Sequence, residues 1–170
     1  LDLLAALGDG EQQVLLGAFE RTASMSETVA ALEALAASGA AAFDDALATF
    51  HRRWKDNPLV IDKWFAIQAA APRADAQARV ERLAAHPDFN LHNPNRVRAL
   101  AGAFAMRNPR AFHAASGAGY RFLADLARDI DARNPALAAR LLTAFESWKR
   151  FDLVRQGHAR AALHGLAALS

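Results

Sequence analysis

Apolar residues recur along this chain at three- and four-residue intervals and never in sustained alternation. Such spacing marks one face of an amphipathic helix rather than a strand. Residues 1–22 hold a short amphipathic stretch, Val14-Leu15-Ala18-Phe19, interrupted by Gly8, Gly10 and Gly17. Ser24 and Ser26 offer caps for a helix running to Ser38, with Val29, Leu32, Leu35 and Ala36 as its stripe, and Gly39 ends it. Phe43, Leu47, Phe50 and Trp54 predict the next helix over about 40–55, whose cationic end, Arg52-Arg53-Lys55, suits a helix C-terminus. Residues 58–71 are apolar on almost every side, so that helix belongs in an inner layer, with a more polar helix over 74–85 as its outer partner. Further helices are expected from 94 to about 106, over 109–115, over 119–131 after a Gly117-Gly119 turn, over 135–149 and over 152–167. β-Branched residues are scarce and no strand is expected.

Four of the six prolines follow an asparagine: Asn57-Pro58, Asn93-Pro94, Asn108-Pro109 and Asn134-Pro135. Asn is a strong N-cap, and Pro at the first helical position loses nothing by lacking an N–H. Each pair therefore reads as a helix start. The steps from Pro58 to Pro94 and from Pro94 to Pro135 are 36 and 41 residues, about one helix-turn-helix unit of an α-solenoid. The fold class that follows is all-α: a solenoid-like superhelix of stacked antiparallel helix pairs, about ten helices in one domain over residues 1–170.

Composition supports this picture. Ala supplies about a quarter of the 170 residues, which favours helices and close helix approach. There is no Cys, so neither a disulfide framework nor a thiolate zinc site is available. No apolar run is long enough to span a membrane, and the N-terminus has no signal-peptide pattern. It also lacks an initiator Met, so the piece is expected to come from a longer protein. Leu166, Leu169 and the early leucines are expected as exposed apolar ends of a truncated array. Charge is uneven. Residues 1–90 carry 8 Lys/Arg against 13 Asp/Glu, and residues 91–170 carry 12 against 5. That asymmetry fits either an anionic partner or a plain bias toward arginine.

Catalytic patterns are missing. None of His51, His86, His92, His113, His158 and His164 forms a His-x3-His pair or a His-Glu-x-x-His motif, so no metal site is expected and the histidines read as structural or surface groups. Gly117-Ala118-Gly119 lacks the third glycine and the preceding strand of a dinucleotide site. No phosphate cradle and no Gly-x-Ser-x-Gly elbow is present, and no catalytic residue is assigned. Asp44-Asp45 and Asp129-x-Asp131 read as solvated faces.

Two arginines stand apart. Arg98 shares its helical face with Gly102 and Ala105, and Arg140 shares its face with Ala136, Thr143 and Ser147. Small neighbours leave a guanidinium room to reach into a groove, where its fork can hold a carboxylate. On spacing alone, an ordinary surface Arg lying over Ala is the favoured reading.

The stretch Asn57-Pro58-Leu59-Val60-Ile61-Asp62-Lys63-Trp64-Phe65, the run from Asn93 to Phe104 and Asn108-Pro109-Arg110-Ala111-Phe112-His113 resemble the C-terminal helical domain of the bacterial aminopeptidase N family, alanyl aminopeptidases among the gluzincin zinc peptidases. The similarity continues through Gly117 to Leu123, Arg133-Asn134-Pro135, Ala139-Arg140-Leu141 and Lys149-Arg150-Phe151-Asp152, covering about residues 55–165. The resemblance implies an armadillo/HEAT-like arch, a C-terminal piece of a multidomain cytoplasmic enzyme that removes N-terminal residues, Ala preferred, from peptides. The enzyme's zinc would sit in a separate catalytic domain, whose His-Glu-x-x-His and Gly-x-Met-Glu-Asn motifs are not in this sequence. This piece would hold no cofactor and be inert alone. It would pack on the catalytic domain, cover the active-site chamber and control peptide access, with Arg98 and Arg140 as substrate-binding residues facing the C-terminal side of the bound peptide.

Two other classes remain open at this stage. A free-standing helical-repeat scaffold could bind proteins on one face. A nucleic-acid-binding repeat could use the basic half, but its arginines are scattered among Asp125, Asp129 and Asp131 rather than clustered on a face, so neither nucleic acid nor a membrane is the expected partner.

Overall fold

The structure, a computed structural model, describes residues 9–167. The early leucines and Leu169, expected as apolar ends, lie outside these residues, and Leu166 is half-buried. The described chain is helical: α1 Asp9–Arg21, α2 Met25–Ala37, α3 Ala42–Trp54, α4 Pro58–Ala70, α5 Ala76–Ala84, α6 Pro94–Val97, α7 Ala103–Arg107, α8 Pro109–Phe112, α9 Ala118–Asp131, α10 Pro135–Leu142 and α11 Leu153–Ala167. Between α6 and α7 the helix continues as a π-helical segment, Arg98–Gly102. No strand occurs among the described residues.

The caps act as the sequence implies. The side-chain oxygens of Asn57, Asn93, Asn108 and Asn134 accept from the backbone N–H of Val60, of Asn95 and Arg96, of Ala111, and of Leu137, each with Pro at the start of the helix. Ser24, not Ser26, caps α2, accepting from the Glu27 N–H. The expected 135–149 helix breaks. α10 stops at Leu142, and 3₁₀ turns follow at Thr143–Phe145 and Trp148–Arg150. Thr143 Oγ1 donates to the Arg140 carbonyl at 2.8 Å, a side-chain bond back to the preceding turn that weakens a helix interior.

Two layers result. The helices α2, α4, α6–α7 and α10 pack side by side, with α3, α5 and α9 packed behind them. α4 is central, touching α2, α3, α5 and the α6–α7 helix, and it buries Val60, Ile61, Trp64, Phe65 and Ile67. The Trp64 indole N–H donates to the Leu47 carbonyl at 3.1 Å, which satisfies its one polar atom inside the core.

Two buried arginines lock repeats together. Arg79 of α5 pairs with Asp44 of α3 at 2.7 Å and with Asp75 at 3.1 Å. Asp44, expected on a merely solvated face, is exposed yet committed to this pair. Arg96 of α6 donates from Nε to Asp62 of α4 at 2.6 Å and from Nη2 to the Pro58 carbonyl at 3.3 Å, with its guanidinium 5.0 Å from the centre of the Phe65 ring. The glycine pair before α9 also has a packing explanation. Gly117 has φ 67°, and a Cβ there would collide with His158, while a Cβ on Gly119 would collide with the Phe112 carbonyl.

Candidate functional site

Arg98 and Arg140 come together. They line one groove of about 520 Å³, with Gly102, Ala105 and Met106 on one wall and Leu137, Leu141 and Thr143 on the other. The small residues predicted beside Arg98 are the ones that open this groove. Thr143 stands beside Arg140 as expected, whereas Ser147 lies beyond the break in α10 and does not line it.

No carboxylate among the described residues lines this groove, so its two guanidiniums meet no counter-ion there. Arg98 donates only to the Asn95 side chain, at 2.5 Å, and the Arg140 guanidinium makes no hydrogen bond or ion pair among the described residues. Most arginines near acids in this molecule are instead neutralised, as Arg79, Arg96, Arg107 and Arg128 are. A cavity with two arginines and no acid favours an anion by charge and by the bidentate geometry of the fork.

A second groove of about 700 Å³ adjoins the first, and Arg98, Gly102 and Met106 line both. Its other walls come from α2 and α4: Val29 and Glu33, then Leu59, Lys63, Ala66 and Ile67. Its two acids are both paired, Glu33 with Arg107 at 2.7 Å and Asp62 with Arg96 at 2.6 Å, while exposed Lys63 makes no ion pair among the described residues. Leu59 and Met106 are 69% and 58% exposed, so the floor presents apolar surface to solvent. The two grooves form one furrow along the α2–α4–α7–α10 layer, with paired acids and the unpaired Lys63 at one end and two arginines without an acid at the other.

Arg98 opens the π-helical segment, in which the wider turn interrupts the i→i+4 ladder at the point where the grooves meet. Short π segments recur at functional sites because the added residue re-aims neighbouring side chains. No periodicity in Arg98-Ala99-Leu100-Ala101-Gly102 signals it. Met106 was also missed; its exposure at an otherwise apolar stripe becomes visible only once the groove is formed.

Away from the furrow, His51 at the end of α3 meets His86 and Asp88 from the loop after α5, with donor atoms from all three within 4.8 Å of one another. Separations of 35 and 37 residues along the chain hide this group from any spacing motif. Burial holds His86 below the usual histidine range, against the opposing pull of Asp88.

Known proteins share this architecture. Residues 1–170 match the family described as a domain of unknown function (DUF3458_C) with ARM repeats. Aminopeptidase N of Caulobacter vibrioides is 44% identical over 155 residues, covering 88% of this chain and 18% of that protein. Aminopeptidase N of Escherichia coli is 42% identical over 151 residues, covering 89% of this chain and 17% of that protein. The crystal structure of Legionella pneumophila aminopeptidase A in complex with aspartic acid superposes with a TM-score of 0.86 at 38% identity, covering 92% of this chain and 19% of that one. The chain therefore spans less than a fifth of the length of these relatives. No described helix is long and apolar enough to cross a membrane.

Proposed function

Because the chain belongs to the DUF3458_C family of ARM-repeat domains, and its relatives are aminopeptidases many times its length, we propose that it is the C-terminal helical domain of a larger cytoplasmic zinc aminopeptidase. In this reading the domain packs on the catalytic domain, and the furrow forms a wall of the chamber through which peptides reach the zinc. A zinc ion held by the catalytic domain, outside this chain, would supply Lewis acidity to the scissile carbonyl and to water. The helical domain contributes enclosure and anchors the far end of the peptide.

One observation carries the reading: a groove lined by Arg98 and Arg140 with no acid in its wall. A peptide's terminal carboxylate is an anion with two oxygens, matched to a guanidinium fork, and a charge-assisted bond of this kind contributes roughly 1.5–3 kcal/mol. The adjoining apolar groove, floored by Leu59, Ala66 and Met106, suits peptide side chains of no fixed type.

The test uses the whole enzyme. Arg98→Ala and Arg140→Ala lower kcat/KM for short peptides by about tenfold, the kinetic equivalent of 1.4 kcal/mol, and leave the rate on an alanyl anilide nearly unchanged. The anilide has no distant carboxylate to anchor. Equal losses on both substrates would mean that the arginines act on the fold, and no loss on either would remove them from the substrate path.

A further inference from the structure

We propose that His51, His86 and Asp88 form a binding site for one divalent transition-metal ion of the zinc type, clamping the C-terminal end of α3 to the loop that leads into α6. The donor set is two imidazoles and one carboxylate, which suits Zn²⁺ and leaves a fourth position for water.

The geometry is close to what an ion needs. His51 Nε2 lies 2.6 Å from Asp88 Oδ2, and His86 Nδ1 lies 3.8 Å from the same oxygen. Tetrahedral bonds of about 2.0–2.1 Å place ligand atoms roughly 3.4 Å apart. The first separation must open by less than about 1 Å and the second must close slightly, which side-chain torsions supply. The ion takes the place of the proton that His51 and Asp88 share.

The surroundings favour it. The Asp88 N–H donates to His86 Nδ1 at 3.1 Å, so Nδ1 is the acceptor nitrogen and the ring proton lies on Nε2. The ion would replace this contact, a small turn of the His86 ring bringing the same lone pair from the Asp88 N–H to the metal. Arg96 is the nearby cation, but Asp62 neutralises it, and its Nη1 donates to the Asp88 carbonyl, which holds the ligand-bearing loop in place. Trp64 walls the site on its inner side, with its ring centre 4.7 Å from that of His51 and 5.1 Å from that of His86. The three ligand side chains keep 24%, 31% and 37% exposure, so an ion can enter from solvent.

This site lies apart from the furrow of Arg98 and Arg140 and stands or falls independently of the aminopeptidase reading. The experiment is calorimetric titration of the untagged, chelator-stripped 170-residue chain with Zn²⁺ alone, and with Ni²⁺ while tryptophan emission is followed. One saturable ion per chain is expected, and Ni²⁺ should quench Trp64 at the same midpoint. His51→Gln and Asp88→Asn keep the hydrogen bond between these positions but remove a metal ligand. Each should weaken binding at least about tenfold with the helical circular dichroism intact, while His92→Gln, at an exposed ring, should change nothing. Should either variant unfold, the wild-type quench and a Zn²⁺-dependent rise in melting temperature still decide the matter. Absence of a saturable site, or affinity unchanged in both folded variants, would overturn the proposal and leave a metal-free His51–Asp88 clip.

Discussion

Arg79 Nη1 lies 2.7 Å from Asp44 Oδ1, so a buried guanidinium of α5 is tied to an exposed carboxylate of α3 across 35 residues of chain. The bond from Arg79 holds the Asp44 carboxyl below its ordinary range, opposed by a smaller desolvation effect. A carboxylate with a depressed folded pKa adds stability that is present above its unfolded pKa and is lost as pH falls through the folded pKa. Asp44→Asn should therefore lower the urea midpoint at pH 7. The deficit should shrink as pH drops below about 3.8 and vanish once Asp44 is protonated in the wild type. A deficit independent of pH would mean that Asn disturbs packing rather than charge.

Trp64 is 8% exposed, and its indole N–H reaches the Leu47 carbonyl at 3.1 Å. Truncation removes a large aromatic from the centre of α4 and leaves that carbonyl without its partner. Trp64→Ala should cost roughly 3–5 kcal/mol in denaturant unfolding. A loss under about 1 kcal/mol would mean that the site collapses around the vacancy, contrary to the central place of α4.

Where helices begin was legible because an Asn-Pro pair carries its mechanism in two adjacent residues. The central position of α4 was legible because Val60, Ile61, Trp64, Phe65 and Ile67 leave little polar face to show to water. The end of α10 was not legible, since Leu141, Ala144 and Phe145 continue the helical spacing through the break, and the Thr143 hydroxyl can serve either conformation. Buried Arg79 and Arg96 were hidden for a related reason. An arginine reads as surface until the carboxylates that neutralise it, Asp44 and Asp62, are known to be near. For the site, the small residues around Arg98 were a sound guide to a groove. Its meeting with Arg140, the π-helical turn and the His51–His86–Asp88 group depend on helix packing that no local pattern encodes.

His113 Nδ1 lies 2.9 Å from the hydroxyl of fully buried Tyr120, and its ring stacks on Phe151 at 4.1 Å. Burial first, and then Arg155, push the His113 pKa down. The folded protein thus binds fewer protons than the unfolded chain just below about pH 6.5, and stability is lost as pH falls through that window. His86, held down by burial, acts in the same direction. The urea midpoint should fall between pH 7.5 and pH 5.5, and His113→Gln should flatten that slope while lowering stability at pH 7.5. An unchanged slope would assign the acid sensitivity to other groups.

If the chain belongs to the aminopeptidase proposed above, the cationic groove makes a last demand, one that separates recognition of a terminal carboxylate from general peptide binding. Amidating a peptide's C-terminus removes its negative charge and one acceptor oxygen while leaving every other contact in place. If Arg98 and Arg140 hold that carboxylate, kcat/KM for a free-acid tripeptide should exceed that for its amide by about tenfold. In the Arg98→Ala/Arg140→Ala double variant the ratio should collapse toward unity, because enzyme and substrate changes then remove the same interaction and cannot add. Arg140→Lys should recover only part of the ratio, since an ammonium supplies the charge without the planar fork. Added salt should erode the preference in the wild type, as the groove is open to solvent. A ratio that survives the double variant would place the carboxylate elsewhere in the enzyme, leaving the furrow as a passive wall.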